Sequence, residues 1–130
     1  MAEAKDIDDS LEFLRYFEKN TENPDLGTLI REKVSTDKKF LNLLSCQLKE
    51  EDFRAIAGFG PIKSLSSLNL DQTGLNSGGL QSLSASKFFC NLETLSFANN
   101  NLDDEALFFL SKCRALTRLK TLNLSSNEIG

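Results

Sequence analysis

The sequence contains no histidine, no tryptophan and only two prolines in 130 residues. Histidine is the commonest general base and the usual partner of a serine or cysteine nucleophile, so its absence argues against the common forms of catalysis. The three cysteines, Cys46, Cys90 and Cys113, stand singly without C-x-x-C spacing. Such an odd, sparse set predicts neither a zinc site nor a disulfide framework, and we expect three core thiols. The residues therefore predict no catalytic site, no cofactor and no bound metal.

Long apolar runs and a basic surplus are also missing. Without about 18 consecutive apolar residues the sequence predicts no transmembrane helix, and the acidic start MAEAKDIDDS lacks the apolar region of a signal peptide. Residues 1–37 hold ten acidic and five basic residues, whereas residues 38–130 are nearly balanced. A nucleic-acid binder usually shows a basic field. The sequence therefore predicts a cytoplasmic protein that binds neither membrane nor nucleic acid.

What the sequence does have is a repeat. The pattern L-x-x-L-x-L-x-x-N-x-L or a close variant begins at Leu65, Leu92 and Leu119, with the starts 27 residues apart. A weaker copy begins at Lys38 and places Cys46 in the asparagine position. A fixed period of this size is typical of a stacked repeat architecture.

Each repeat changes its period midway. Apolar residues alternate in and out at first, as in a short strand, and then recur at spacings of three and four, as in a helix. One parallel strand per repeat would stack into a sheet with the helices on its outer side. Thr73, Asn100 and Asn127 would lie at the bend after each strand, where a buried asparagine can bond the backbone of its neighbours. Because Thr73 and Cys46 bond less well, we expect this ladder to be weakest at the N-terminal end.

The N-terminal segment, residues 1–37, predicts two helices that cap the stack. Residues 10–20 have helical spacing, and a second helix would begin at Pro24 with Asn23 as its N-cap. The first repeat of a stack needs such a cap to cover its interior. A decayed repeat strand in 10–20 is the alternative, and we favour the helix. The predicted repeats are then 38–64, 65–91, 92–118 and a partial 119–130.

The repeat pattern resembles the leucine-rich repeat family, and the 27-residue period with one helix per repeat resembles its ribonuclease-inhibitor-like class. The cysteines at 46 and 113 are also similar to those of the cysteine-containing class in F-box proteins. The resemblance implies an α/β solenoid with parallel strands on a concave face, helices on a convex face and partners bound by the concave face. It also leaves open a regulatory fragment of a larger protein, such as a small-GTPase regulator or a ubiquitin-ligase substrate adaptor.

The resemblance thus predicts a non-catalytic module that binds a protein or peptide. The candidate binding residues are the outward strand positions and the positions just past each strand: Phe40, Asn42, Leu44, Ser67, Asn69, Asp71, Thr94, Ser96, Thr121 and Asn123. Phe40 and Leu44 are the apolar exceptions on this polar surface. We expect the N-terminal helices to cover them; otherwise they are candidate anchors for a partner side chain.

The last copy of the pattern stops before its helix. Leu122 and Leu124 would then lie at an open sheet edge, which favours association. Self-association through this edge, a fragment of a longer stack and a decayed copy are the three explanations, of which we favour the fragment.

Overall fold

The computed structural model describes residues 14–23, 25–59, 62, 65–85, 91–112 and 118–127. Two helices come first, then strands and helices alternate, and every element after residue 33 follows the predicted order. The elements are α1 (residues 14–20), α2 (Leu26–Lys33), β1 (Phe40–Asn42), α3 (Glu50–Ala57), β2 (Ser67–Asn69), α4 (Ser77–Ser84), β3 (Thr94–Ser96), α5 (Asp104–Ser111) and β4 (Thr121–Asn123). None of these helices is both long and apolar enough to cross a membrane.

The four strands form one parallel sheet in the order β1-β2-β3-β4. Their register joins residues 27 positions apart, as in Leu41↔Leu68, Leu68↔Leu95 and Leu95↔Leu122. Alternating helices and parallel strands in a single sheet make this an α/β repeat fold. The sequence period is therefore the spatial step from one strand to the next.

The core lies on one side of this sheet, beneath the helices. The central strand leucines Leu41, Leu68 and Leu95 are buried there together with the helix residues Phe53 and Leu80. Neighbouring helices contact each other in sequence order, α3 against α4 and α4 against α5. Since side chains alternate along a strand, the residues on either side of each central leucine project from the opposite face.

Polar side chains cap the first turns of α3, α4 and α5. Asn76 caps α4 by accepting a hydrogen bond from the Gly79 N–H at 2.9 Å, and Asp103 caps α5 by accepting one from the Glu105 N–H at 3.1 Å. At α3 the backbone N–H of Lys49 donates to Asp52 Oδ2 at 2.9 Å. Side-chain acceptors at these positions satisfy backbone groups that a helix end leaves unpaired.

The N-terminal segment is helical over residues 14–20, as predicted, while residues 10–13 lie outside the described part of the chain. Phe17 and Ile30 are buried, and Tyr16 donates to the Ala55 carbonyl at 2.7 Å. Asp25, and not Asn23, occupies the N-cap position of α2, and Asn23 Oδ1 instead accepts from the Asp25 N–H. This segment therefore packs against α3 and its neighbours.

The outer edge of β1 is covered by the end of the same segment. Val34 forms an antiparallel bridge with Leu41. Ser35 donates its backbone N–H to the Phe40 carbonyl at 2.8 Å, and its hydroxyl accepts from the Phe40 N–H at 3.0 Å. A covered edge cannot pair with another strand.

The buried position of Leu95 predicts a large loss of stability on truncation. We expect Leu95→Ala to lower the free energy of unfolding by about 2–5 kcal/mol, because it leaves a cavity in a fully packed core. Thr94→Ala is the matched control on the exposed side of the same strand, with an expected change within about 0.5 kcal/mol. Urea denaturation measures both, and a cost under about 1 kcal/mol for Leu95→Ala would contradict this register.

We expect alanine substitutions at the adjacent glycines Gly78 and Gly79 of α4 to have opposite effects on stability. A methyl group at Gly79 would lie 2.8 Å from Phe53 Cδ2 and 2.9 Å from Leu75 Cδ1, so Gly79→Ala forces the α3–α4 contact apart. At Gly78 the methyl group would meet only the end of the exposed Glu50 side chain, which can move into solvent. We expect Gly79→Ala to destabilise by about 1 kcal/mol, after a gain in helix propensity. Gly78→Ala should stabilise by about 0.5–1 kcal/mol.

Thermal unfolding of the two alanine variants tests this contact. Equal effects of both substitutions would show that the helix spacing is not limited by Gly79.

Candidate functional site

The side of the sheet that faces away from the helices is called here the open face. It consists of the outward strand residues and the residue two positions after each strand. The structure aligns the first column as Phe40, Ser67, Thr94 and Thr121, and the second as Asn42, Asn69, Ser96 and Asn123. Leu44 and Asp71 follow β1 and β2. The ten residues predicted from the sequence thus lie on one surface.

Phe40 and Leu44 are exposed, at 55% and 50% of their surface. The prediction that the N-terminal helices cover them is wrong. Leu41 and Leu43 fill the core side of β1 and the turn after it, so Phe40 projects from the opposite face. The described residues of the N-terminal segment pack against α3 and along the β1 edge, and none of them crosses the open face.

Three asparagines on the open face are fixed by their own turns. Asn42, Asn69 and Asn123 each accept, through Oδ1, a hydrogen bond from the backbone N–H two residues on, at 3.0, 2.8 and 3.0 Å. Among the described residues, no hydrogen bond is formed by the three Nδ2 groups. Each turn therefore holds an amide donor in a defined place on the surface.

Asp71 joins two neighbouring repeats. Its Oδ1 accepts from the Ser96 hydroxyl at 2.6 Å and from the Ala98 N–H at 2.8 Å. The side chain is half-buried. Two of the predicted binding residues, Asp71 and Ser96, are thus bonded to each other, which sequence spacing alone did not reveal.

Two oppositely charged residues, Glu93 and Lys120, come immediately before β3 and β4, at the edge of the open face. Lys120 Nζ lies 2.9 Å from Glu93 Oε1. The hydrogen bond from Lys120 lowers the pKa of the Glu93 carboxyl, and the same bond raises the pKa of the Lys120 ammonium. Both groups are exposed, so this pair adds little to stability.

Behind the open face, the side chain of Asn100 connects two successive turns, those after β2 and β3. Its Oδ1 accepts from the backbone N–H groups of Thr73 and Leu75, both at 3.0 Å. Its Nδ2 donates to three backbone carbonyls at 2.9–3.2 Å, those of Leu70, Phe97 and Ala98. The predicted ladder is confirmed at this position.

Asn127 repeats the arrangement one step further on. Its Oδ1 accepts from the Asn100 N–H at 3.2 Å and the Leu102 N–H at 3.1 Å. Thr73 occupies the equivalent position in the repeat before that of Asn100, and its hydroxyl donates to the Leu70 carbonyl at 2.8 Å. A hydroxyl cannot bridge as many backbone groups as a carboxamide. The prediction that the ladder has fewer side-chain hydrogen bonds toward the N-terminal end is therefore confirmed for Thr73.

The turns also contain a repeated backbone feature that the sequence analysis missed. Ser45, Gln72, Asn99 and Ser126 all have positive φ angles, between 56° and 64°. Only Asn99 is of a type that tolerates this left-handed region readily. The column was visible in the 27-residue alignment, but serine and glutamine gave no reason to assign it a left-handed backbone. The Ser45 hydroxyl also donates to Gln72 Oε1 at 2.7 Å, linking two of these turns.

Other candidate sites are few. Within the described residues no group of three or more histidine, cysteine or acidic side chains is placed to hold a metal ion. Cys46 is a free, half-buried thiol beside the core, so it is less buried than predicted; Cys90 and Cys113 lie outside the described residues. Two clefts of about 300 and 290 Å³ lie between residues 18–23 and the start of α3, away from the open face.

Comparison with known proteins agrees with the repeat geometry. The sequence profile of the family described as "Leucine Rich repeat" matches residues 90–111 and 115–130. With the α/β repeat fold, these matches support a leucine-rich repeat protein. Domains of this family generally mediate protein–protein interactions and are typically non-enzymatic. No curated protein matches the chain.

The Asn100 ladder predicts a position-specific loss of stability. We expect Asn100→Ala to lower the free energy of unfolding by about 3 kcal/mol or more, because it leaves the buried N–H groups of Thr73 and Leu75 without an acceptor. Asn101→Ala, at the next, exposed position, is the matched control and should change stability by about 0.5 kcal/mol or less. Urea denaturation would contradict the role of the ladder if both variants unfolded at the same midpoint.

Proposed function

We propose that this protein is a non-catalytic interaction module that binds a protein or peptide on its open face. The observation that carries the proposal is the composition of that face. Its outward residues are small and polar, with one carboxylate, Asp71, and two exposed apolar side chains, Phe40 and Leu44. The inner sides of the helices pack against the core, and the exposed apolar side chains Leu107 and Phe108 on α5 have no comparable set of ordered amide donors beside them among the described residues.

The fixed geometry of the face supports binding. The turns hold the carboxamides of Asn42, Asn69 and Asn123 through Oδ1. Because these side chains are already ordered, little of their conformational entropy is lost when a partner accepts hydrogen bonds from their Nδ2 groups. A surface of this kind suits a partner that presents backbone carbonyls or polar side chains.

We also propose the finer assignments. One helix for each 27-residue step of the sheet supports the ribonuclease-inhibitor-like class and repeats at 38–64, 65–91, 92–118 and 119–130. The Val34–Leu41 bridge at the β1 edge supports residues 1–37 as an N-terminal cap. A cytoplasmic location remains an expectation from composition alone.

A triple substitution tests the binding face. We expect Asn69→Lys, Ser96→Lys and Asn123→Lys together to abolish binding while the chain stays folded, because they place three long charged side chains across the middle of the open face. The measurement is a selection of peptides that bind the intact chain from a displayed library of random 12-residue sequences. The selected peptides are then titrated against both proteins, and thermal unfolding monitors the fold.

The matched control places three lysines on the helix side, at Thr28, Gln81 and Ser111, which are exposed on α2, α4 and α5. It adds the same charge and should leave peptide binding within about twofold of the original. Peptides that bind the open-face variant as tightly as the unchanged chain would overturn the proposal.

A further inference from the structure

The N-terminal end of the open face differs from the rest in its apolar side chains. Phe40 stands in a column whose other members are Ser67, Thr94 and Thr121. Leu44 lies 27 residues before Asp71, and half of its surface is exposed. The repeat geometry requires no apolar residue at either place, since the other repeats build the same turns and strands with small or polar ones.

Neither side chain is needed by the core. Leu41 and Leu43 are buried at 2% and 0% on the opposite side of the same segment. The edge of β1 is held through backbone and hydroxyl groups of residues 34 and 35. Phe40 and Leu44 are therefore two large, exposed apolar groups on the same face, one on each side of Asn42 in the chain. A partner side chain that lies between them would remove apolar surface from water.

A carboxylate lies one strand away. Asp71 is the one charged side chain among the described outward strand positions and the position two residues after each strand. Its Oδ1 is used by Ser96 and Ala98, and its Oδ2 accepts no hydrogen bond from the described residues. A fixed, half-buried carboxylate with one oxygen still available attracts a cationic group.

We propose that this end of the open face binds an extended protein segment in which an apolar side chain lies close to a lysine or arginine. The apolar side chain contacts Phe40 and Leu44, and the cation pairs with Asp71 Oδ2. By the register of β1 and β2, Asp71 is level with Leu44 on the neighbouring strand. Neighbouring strands lie about 4.8 Å apart and an extended chain rises about 3.3 Å per residue, so a side chain that lies between Phe40 and Leu44 is about one to three residues from the cation. This inference rests on the proposed function and specifies the partner's chemistry.

Three variants of the intact chain separate the two anchors. Phe40→Ser and Leu44→Ser install the residue type found at the equivalent positions Ser67 and Ser125. Asp71→Asn removes the charge and keeps an Oδ1 acceptor for Ser96 and Ala98. Phe108→Gln is the matched control, because Phe108 is 57% exposed on α5 and its equivalent in α4 is the exposed Gln81.

The probe is the peptide most enriched from the random 12-residue library, labelled and titrated by fluorescence anisotropy. We expect enriched peptides to carry leucine, isoleucine, phenylalanine or methionine within three positions of lysine or arginine. Asp71→Asn should weaken binding about tenfold at low salt and less at 1 M salt, where the charge is screened. Each serine variant should weaken it about tenfold at either salt concentration, and Phe108→Gln should leave it unchanged.

Two outcomes overturn the inference in distinguishable ways. If peptides bind, and the triple-lysine variant abolishes binding while Asp71→Asn and the serine variants do not change it, the open face is the binding site but this partner chemistry is wrong. If the triple-lysine variant also binds normally, the proposed function fails with it. Enriched peptides without an apolar residue close to a lysine or arginine would also show that this partner chemistry is wrong.

Discussion

The stack of repeats depends on hydrogen bonds from the side chain that follows each strand turn, above all those of the Asn100 and Asn127 carboxamides. Strands of three residues supply few ladder bonds, and each is followed by a turn with a left-handed residue, whose inward backbone groups cannot all reach partners of their own. The side chain of Asn100 pairs five such groups in two successive turns. The stacking of repeats therefore rests on polar satisfaction of the turns as much as on the leucines between sheet and helices. The same hydrogen bonds also fix the turns next to the open face.

That dependence makes the two ends of the sheet unlike each other. Asn127 and Asn100 bridge the turns at the C-terminal end, whereas Thr73 offers a hydroxyl and Cys46 a thiol toward the N-terminal end. There, Leu48 donates its N–H to the backbone carbonyl of Thr73 at 3.1 Å, in place of a side-chain acceptor. Backbone pairing and the Val34–Leu41 bridge compensate for the weaker side chains.

The repeat order, the parallel register and the role of Asn100 could be predicted from the sequence, because they follow from a period and from residue types with one strong preference. The exposure of Phe40 could not, because it depends on where α1 and α2 pack. The Tyr16 bond to Ala55 places that segment beside α3, and no local pattern encodes such a contact. The bond between Asp71 and Ser96 was equally hidden, since it depends on side-chain rotamers in two different repeats.

The proposed partner would bind where the side-chain hydrogen bonds between successive turns are fewest. Phe40 and Leu44 belong to β1 and its turn, and Asp71 belongs to the turn after β2, so one segment that contacts all three spans the interface between these repeats. The turn-to-turn bonds already present there are single ones, such as Ser45 N–H to the Asp71 carbonyl at 2.9 Å and the Ser45–Gln72 side-chain bond. A ligand that binds only the folded arrangement stabilises it, and the gain rises with the logarithm of the ligand concentration relative to Kd. Binding at this end would thus hold together the two repeats that lack a bridging asparagine, and it would order the fold from the side that is weakest on its own.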